Sequence, residues 1–232
     1  IFAAAGGHLP VVEALLGNGA ELEARDRSGK TALNWAAMQR RTPVVKMLLD
    51  RGADINTRDN GGVRPVLYAV GRHDLATLGI LVQRGADLEV ESKQNKMTPL
   101  LLAIEQGQSD TVGYLLDQGA RIDGSNSDGL TPLMSASEKG DKNLVKLLLA
   151  RGAEVNTARK DGWTPLLYAA AGAHRDVTRV LLDRGADVGA SNTRGATALM
   201  LAAGTSFGSR LPSPPSTSSS SMKSMKAVVM KT

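Results

Sequence analysis

The residues able to do chemistry are few. Three histidines, His8, His73 and His174, are spread over 232 residues that contain no cysteine. Each falls between two helical stretches in a different segment of the chain, so a metal site has little support, because such sites need ligands drawn together and commonly include thiolates. The lack of cysteine also removes disulfides and thiolate chemistry. No Gly-rich phosphate loop, no His-Glu-x-x-His and no Gly-x-Ser-x-Gly is present. Gly17-Asn18-Gly19 resembles a phosphate loop, but it follows a helix and so meets the wrong end of the dipole. Acids such as Asp54, Glu89 and Asp123 recur along the chain, and a solvated face supporting neighbouring segments explains them better than a paired acid and base. No active site and no cofactor are expected, and the chain reads as a non-enzyme.

The elements behind these residues repeat. Thr-Pro-Leu or a close variant begins at Thr31, Arg64, Thr98, Thr131, Thr164 and Thr197, at steps of 33 or 34 residues. Gly-Ala follows the same period from Gly19-Ala20 to Gly185-Ala186. Two independent markers locked to one period of this size indicate a stacked array, whose units bury apolar surface against their neighbours and not in one central core. In one unit Thr131 is placed as an N-cap, Pro132 fits the first helical position and Gly140 ends the first helix. A second helix is expected from about Asn143 to Arg151, with Val145, Leu148 and Leu149 inward. An extended piece, Ala153 to Asn156, then leads to a sideways turn near Lys160-Asp161-Gly162.

This unit resembles the ankyrin repeat, a turn plus two antiparallel helices with a Thr-Pro-Leu-His-x-Ala signature, over about residues 1–204. The resemblance implies a mostly α solenoid with protruding hairpin-like turns, whose turn tips and first helices line a concave face that grips other macromolecules. The departures are specific. The His after Thr-Pro-Leu is replaced by Asn34, Leu67, Leu101, Met134, Leu167 and Met200, which puts the family's side-chain hydrogen bonds there in question. Arg40, His73 and Ala173 stand where the inter-helix glycine belongs, and a left-handed backbone there costs each about 1 kcal/mol or more. Arg64 replaces one capping Thr, and one extra residue between Asp87 and Met97 lengthens that turn. The second and third copies are therefore expected to be the looser part.

The ends differ from the middle. Ile1 falls inside a first helix, and Val11, Val12, Leu15 and Leu16 make an apolar face without a polar cap, which reads as a segment cut from a longer array. The array is taken as about six helix pairs, the first truncated, with a lone helix at 197–204. The stretch 205–232, with Pro212, Pro214, Pro215 and a serine run, is expected to be disordered. It holds four of the 28 basic residues and none of the 23 acidic ones, so most of the +5 net charge lies there and the array is near neutral. Nucleic-acid binding then rests on the tail alone. Within the tail, Ser213-Pro214 is a weak phosphorylation motif and Met222 to Met230 a weak docking motif. No apolar run is long enough for a membrane span. Cytoplasm or nucleus, and a monomer, are the expectations.

If function is grip, the informative residues vary between copies. One such position precedes the Thr and carries Lys30, Val63, Met97, Leu130, Trp163 and Ala196. Stacking aligns Val63, Met97, Leu130 and Trp163 as an apolar stripe with Lys30 at its end. Two readings stand: an exposed hot spot for a partner, or residues that seal the hairpin edge against the next turn. On the first, Trp163→Ala weakens binding by on the order of 2 kcal/mol and leaves stability nearly unchanged. Around the stripe lie Arg27, Arg72, Gln94, Asn95, Glu105, Ser127, Asp128, Glu138, Lys160 and Asp161, of mixed sign, which suits a protein partner. Trp35, Tyr68 and Tyr168 share one first-helix position and are expected in the core. The reading is a non-catalytic protein-interaction module, or the recruiting arm of a larger enzyme or receptor, with no small-molecule substrate.

Overall fold

The computed structural model describes residues 1–94 and 96–204. Asn95 and 205–232, and with them the expectations for the tail and its two motifs, lie outside the described residues. Among the described residues thirteen α-helices form and no strand, in two compact units that divide after Ala120. The first unit holds α1 (Phe2–Gly6), α2 (Leu9–Gly17), α3 (Ala32–Met38), α4 (Thr42–Asp50), α5 (Pro65–Gly71), α6 (Leu75–Gln83), α7 (Pro99–Glu105) and α8 (Ser109–Asp117). The second holds α9 (Pro132–Lys139), α10 (Lys142–Ala150), α11 (Pro165–Ala171), α12 (Arg175–Asp183) and α13 (Ala198–Ala202). No described helix is long and apolar enough to cross a membrane.

The helices begin where their caps dictate. Thr31, Thr98, Thr131, Thr164 and Thr197 each accept a hydrogen bond from the amide three residues on, which satisfies one orphan helix donor. Asn34 completes a reciprocal capping box, its Oδ1 accepting from the Thr31 amide at 3.0 Å. One copy therefore regains the side-chain bond that the missing His put in question. Arg64 makes no such cap and spends its guanidinium on Asp87 at 2.9 Å. The helix expected from Asn143 runs from Lys142 to Ala150, because Asp141 caps it by accepting from the Leu144 amide.

Packing follows the repeat inside each unit. In the first, α1, α3, α5 and α7 lie in sequence against one another, with α2, α4 and α6 beside them in a second row. In the second, α9, α11 and α13 form one row and α10 packs on α12. Small buried residues, Ala36, Ala69, Ala103, Ala136 and Ala169, let the first helices approach. Leu33, Leu67, Leu101, Leu133 and Leu167 are fully buried beside them, each contributing roughly 1.5–3 kcal/mol. On α2, Val12 is buried, while Val11 and Leu15 stay half exposed.

The departures from the glycine pattern take the backbone they were expected to take. Arg40, His73 and Ala173 sit at φ 58°, 51° and 54°, the left-handed region that Gly140 occupies at 70°. The extra residue lengthens its turn. Elsewhere the turn closes over four residues, as in Asp26 N–H to Lys30 O at 3.0 Å, whereas Ser92 N–H reaches Met97 O at 3.3 Å with Lys96 left-handed at φ 52°.

Candidate interaction surface

Four turns are pinned from inside by their first residue. The Oδ1 of Asp26 accepts from the Ser28 and Lys30 amides at 2.8 and 2.9 Å, and Oδ1 of Asp59 accepts from Val63 at 2.8 Å. Asn126 and Asn192 do the same with both amides at 3.0 Å. A short polar side chain that bonds its own backbone ahead mimics a further turn, which is why Asp and Asn suit the position. In three copies the first turn residue also meets the first helix nine residues on. Trp35 Nε1 donates to Asp26 at 2.8 Å, the Tyr68 hydroxyl donates to Asp59, and Arg159 donates to the Tyr168 hydroxyl at 2.9 Å.

These bonds set the local electrostatics. Burial pushes the Asp26 carboxyl up, but the Ser28 hydroxyl, the Lys30 amide, the Trp35 indole and the Ser28 amide outweigh it and bring its pKa to about 2. Burial and then the Asp59 bond and charge push the Tyr68 phenol up. Burial takes Tyr168 to about 12, against the opposing pull of Arg159. Both tyrosines therefore serve as neutral hydrogen-bonding groups at any physiological pH. Lys30 is drawn into the same network, 2.9 Å from the Ser28 hydroxyl and 3.7 Å from Asp59, with its ammonium 5.7 Å from the Trp35 ring centre. The core expectation holds for Tyr68 and Tyr168, whereas Trp35 is only half buried because its indole must reach the turn.

The exposed stripe is not found. Lys30, Val63, Met97, Leu130 and Trp163 are 8, 8, 7, 1 and 3 % exposed. The carbonyl of each of these residues accepts the bond that closes its own turn. The Trp163 ring then packs on Tyr168, ring centres 4.9 Å apart and tilted by 46°. The burial of the stripe residues sets the exposed hot-spot reading aside. Two residues of the expected rim are also not free surface. Glu105 is buried at the end of α7, and half-buried Arg72 donates from Nε to Met38 O at 2.9 Å. Burial, and then Arg40 nearby, lower the pKa of Arg72. Glu138 is half buried, and half-buried Asp161 pairs with Arg159 at 3.4 Å.

Surface remains at the tips. Arg27, Asn60, Lys93, Ser127, Lys160 and Thr193 occupy the outermost turn position of successive copies and are all exposed, as are Asp128 and Gln94. Within each unit the tips are tied to one another through the backbone. The Asn60 amide donates to Ser28 O at 3.0 Å, Lys93 to Gly61 O at 3.1 Å, and Thr193 to Asp161 O at 2.9 Å. The recurrent acids and amides support this row: Glu23, Asn56, Asp123 and Asn156 each accept an amide of the following copy, 31 residues on.

One set of contacts had no clear sequence signal. The residue before three of the second helices reaches back to the preceding copy: Arg41 to Ala5 O at 3.0 Å, Gln108 to Val70 O at 3.0 Å and His174 to Glu138 O at 2.8 Å. Three unrelated side chains share the task, so residue identity conceals it. The ring of His174 lies so close over Gly140 that a Cβ there would stand 2.4 Å from Nδ1. His73 pairs instead with Asp110 at 2.9 Å, and that bond, followed by the Thr111 amide, holds the Asp110 carboxyl below its usual range. Among the described residues no three His, Asp or Glu side chains come together as metal ligands.

The family described as ankyrin repeats in three copies matches residues 1–59, 66–159 and 137–209. Among solved structures, the chain is similar to the ankyrin repeat domain of Bcl-3, a member of the IkappaB protein family. That match has 29% identity and a TM-score of 0.78 over 86% of this chain and 91% of that one. The ankyrin repeat domain of human ASB11 gives 29% identity and 0.75 over 88% and 91%. An ankyrin repeat domain from Acinetobacter baumannii AYE gives 34% identity and 0.73 over 80% and 97%. No curated protein sequence matches.

Proposed function

We propose, from the premise that the chain belongs to the ankyrin-repeat family, that it is a protein-binding module whose contacts are made by the row of turn tips in each unit. Ankyrin repeats generally serve as protein–protein interaction modules. One observation carries the finer reading: a recurrent, internally hydrogen-bonded turn presents a different exposed side chain in each copy, Arg27, Asn60 and Lys93 in one unit, Ser127, Lys160 and Thr193 in the other. Because the turns are hydrogen-bonded to one another within a unit, little ordering entropy is lost on association. The mixed chemistry of the tips suits a protein surface, where charge placement sets specificity. Catalysis has no part in this reading.

The test compares the wild-type chain with a variant carrying Arg27→Ala, Asn60→Ala, Lys93→Ala and Lys160→Ala, both immobilised and exposed to the same cell extract. A partner retained by the wild type and lost by the variant, with unchanged thermal unfolding, is the expected result. Equal retention on both removes the turn tips from the interface.

A further inference from the structure

A second surface stands apart from the turns. The second helices of residues 121–204, α10 and α12, pack side by side, and the 33-residue step brings Lys142 level with Arg175 and Lys146 level with Arg179. Lys146, Arg175 and Arg179 are exposed and form no salt bridge among the described residues. Lys142 pairs with Asp176 at 3.1 Å. That carboxyl is held below its usual range by Lys142 first and then by Arg175 and Arg179, so several cations converge on one acid. Asp141 is turned inward to cap α10, which leaves it a small part in the outward balance. The pattern is not generic to second helices: at the same two positions α4, α6 and α8 carry Thr42, Leu75 and Ser109, then Lys46, Gly79 and Gly113, with a single cation among them.

We propose that the α10–α12 face binds an acidic polypeptide segment, separately from the turn tips. The backbone positions that carry its cations are about 6 Å apart along each helix, on helices whose axes pack about 8–10 Å apart. That spacing matches glutamates four residues apart on one helix. Neither helix carries an aromatic residue on which a base could stack, and the near-neutral array has no long-range pull on a polyphosphate, so a peptide is the better fit than a nucleic acid.

The experiment measures fluorescence anisotropy of a labelled Glu/Ala peptide, glutamate at every fourth position, with the full chain and with a Lys146→Glu, Arg179→Glu variant. A labelled oligothymidylate runs in parallel. The expected result is peptide binding that weakens with salt and falls roughly tenfold or more in the variant, with unchanged thermal unfolding. Equal peptide affinity in both chains, or oligothymidylate bound more tightly than the peptide and lost in the variant, overturns the proposal. Because the turn tips are intact in this variant, either failure leaves the turn-tip reading standing.

Discussion

The two units build one turn from different chemistry. In residues 1–120 the pinning residue is a carboxylate twice, Asp26 and Asp59, fed by an indole and a phenol nine residues on. In residues 121–204 it is an amide at Asn126 and Asn192, and in the turn that begins at Arg159 the first residue pins nothing, because a guanidinium only donates. At Arg159 the carboxylate has moved two residues along to Asp161, which accepts from the Trp163 amide at 3.4 Å, while Arg159 bridges to Tyr168. The turn therefore demands satisfied donors and acceptors, not a particular charge. What changes with the chemistry is sensitivity to acid and the cost of losing one partner.

The largest expected effect separates scaffold from surface. Trp163→Ala removes a buried ring and lowers stability by about 3–5 kcal/mol, read by denaturant unfolding. A variant as stable as the wild type would return Trp163 to the exterior. Next, Tyr68→Phe strips the hydroxyl that donates to buried Asp59 and costs about 1–3 kcal/mol. Tyr168→Phe costs less, because Arg159 keeps Asp161 as a partner. Equal losses would dissolve the contrast between the units.

Acid sharpens the comparison further. Asp26 has a folded pKa of about 2, below its unfolded value of about 3.9. Its contribution is therefore fully present above about pH 4 and is lost as pH falls toward 2. Asp26→Asn, which copies the amide at Asn126, should keep the turn and flatten the dependence of the melting temperature on pH across that window. An unchanged slope would remove Asp26 as the source. The smallest effect lies in the backbone: Ala173→Gly relieves a left-handed residue and should raise stability by at most about 1 kcal/mol.

Much of the scaffold was legible because it rests on local rules. Thr131 with Pro132, the left-handed Arg40, His73 and Ala173, and the lengthened turn before Met97 all follow from caps, glycine positions and spacing. The direction of the side chain before each cap was not. A single residue between a turn and a helix belongs to no period, so nothing in Val63 or Trp163 distinguishes a tip from a seal. The nine-residue pairing was visible only as Asp26 with Trp35 and Asp59 with Tyr68, and Ser92 with Leu102 breaks the pattern. Glu105 reads as rim in the sequence because a carboxylate at a helix end is usually exposed, whereas packing of α7 buries it. The charge on α10 and α12 was legible residue by residue, but only their side-by-side packing gathers it into a face.

The most direct measurement is hydroxyl-radical footprinting of the folded chain, because methionine and tryptophan are among the fastest-reacting side chains. The account predicts that Met97 and Trp163 stay protected and are oxidised only when the chain unfolds, leaving the tips as the turns' outer surface. Rapid oxidation of both in the folded state would contradict it and put an apolar stripe back within a partner's reach.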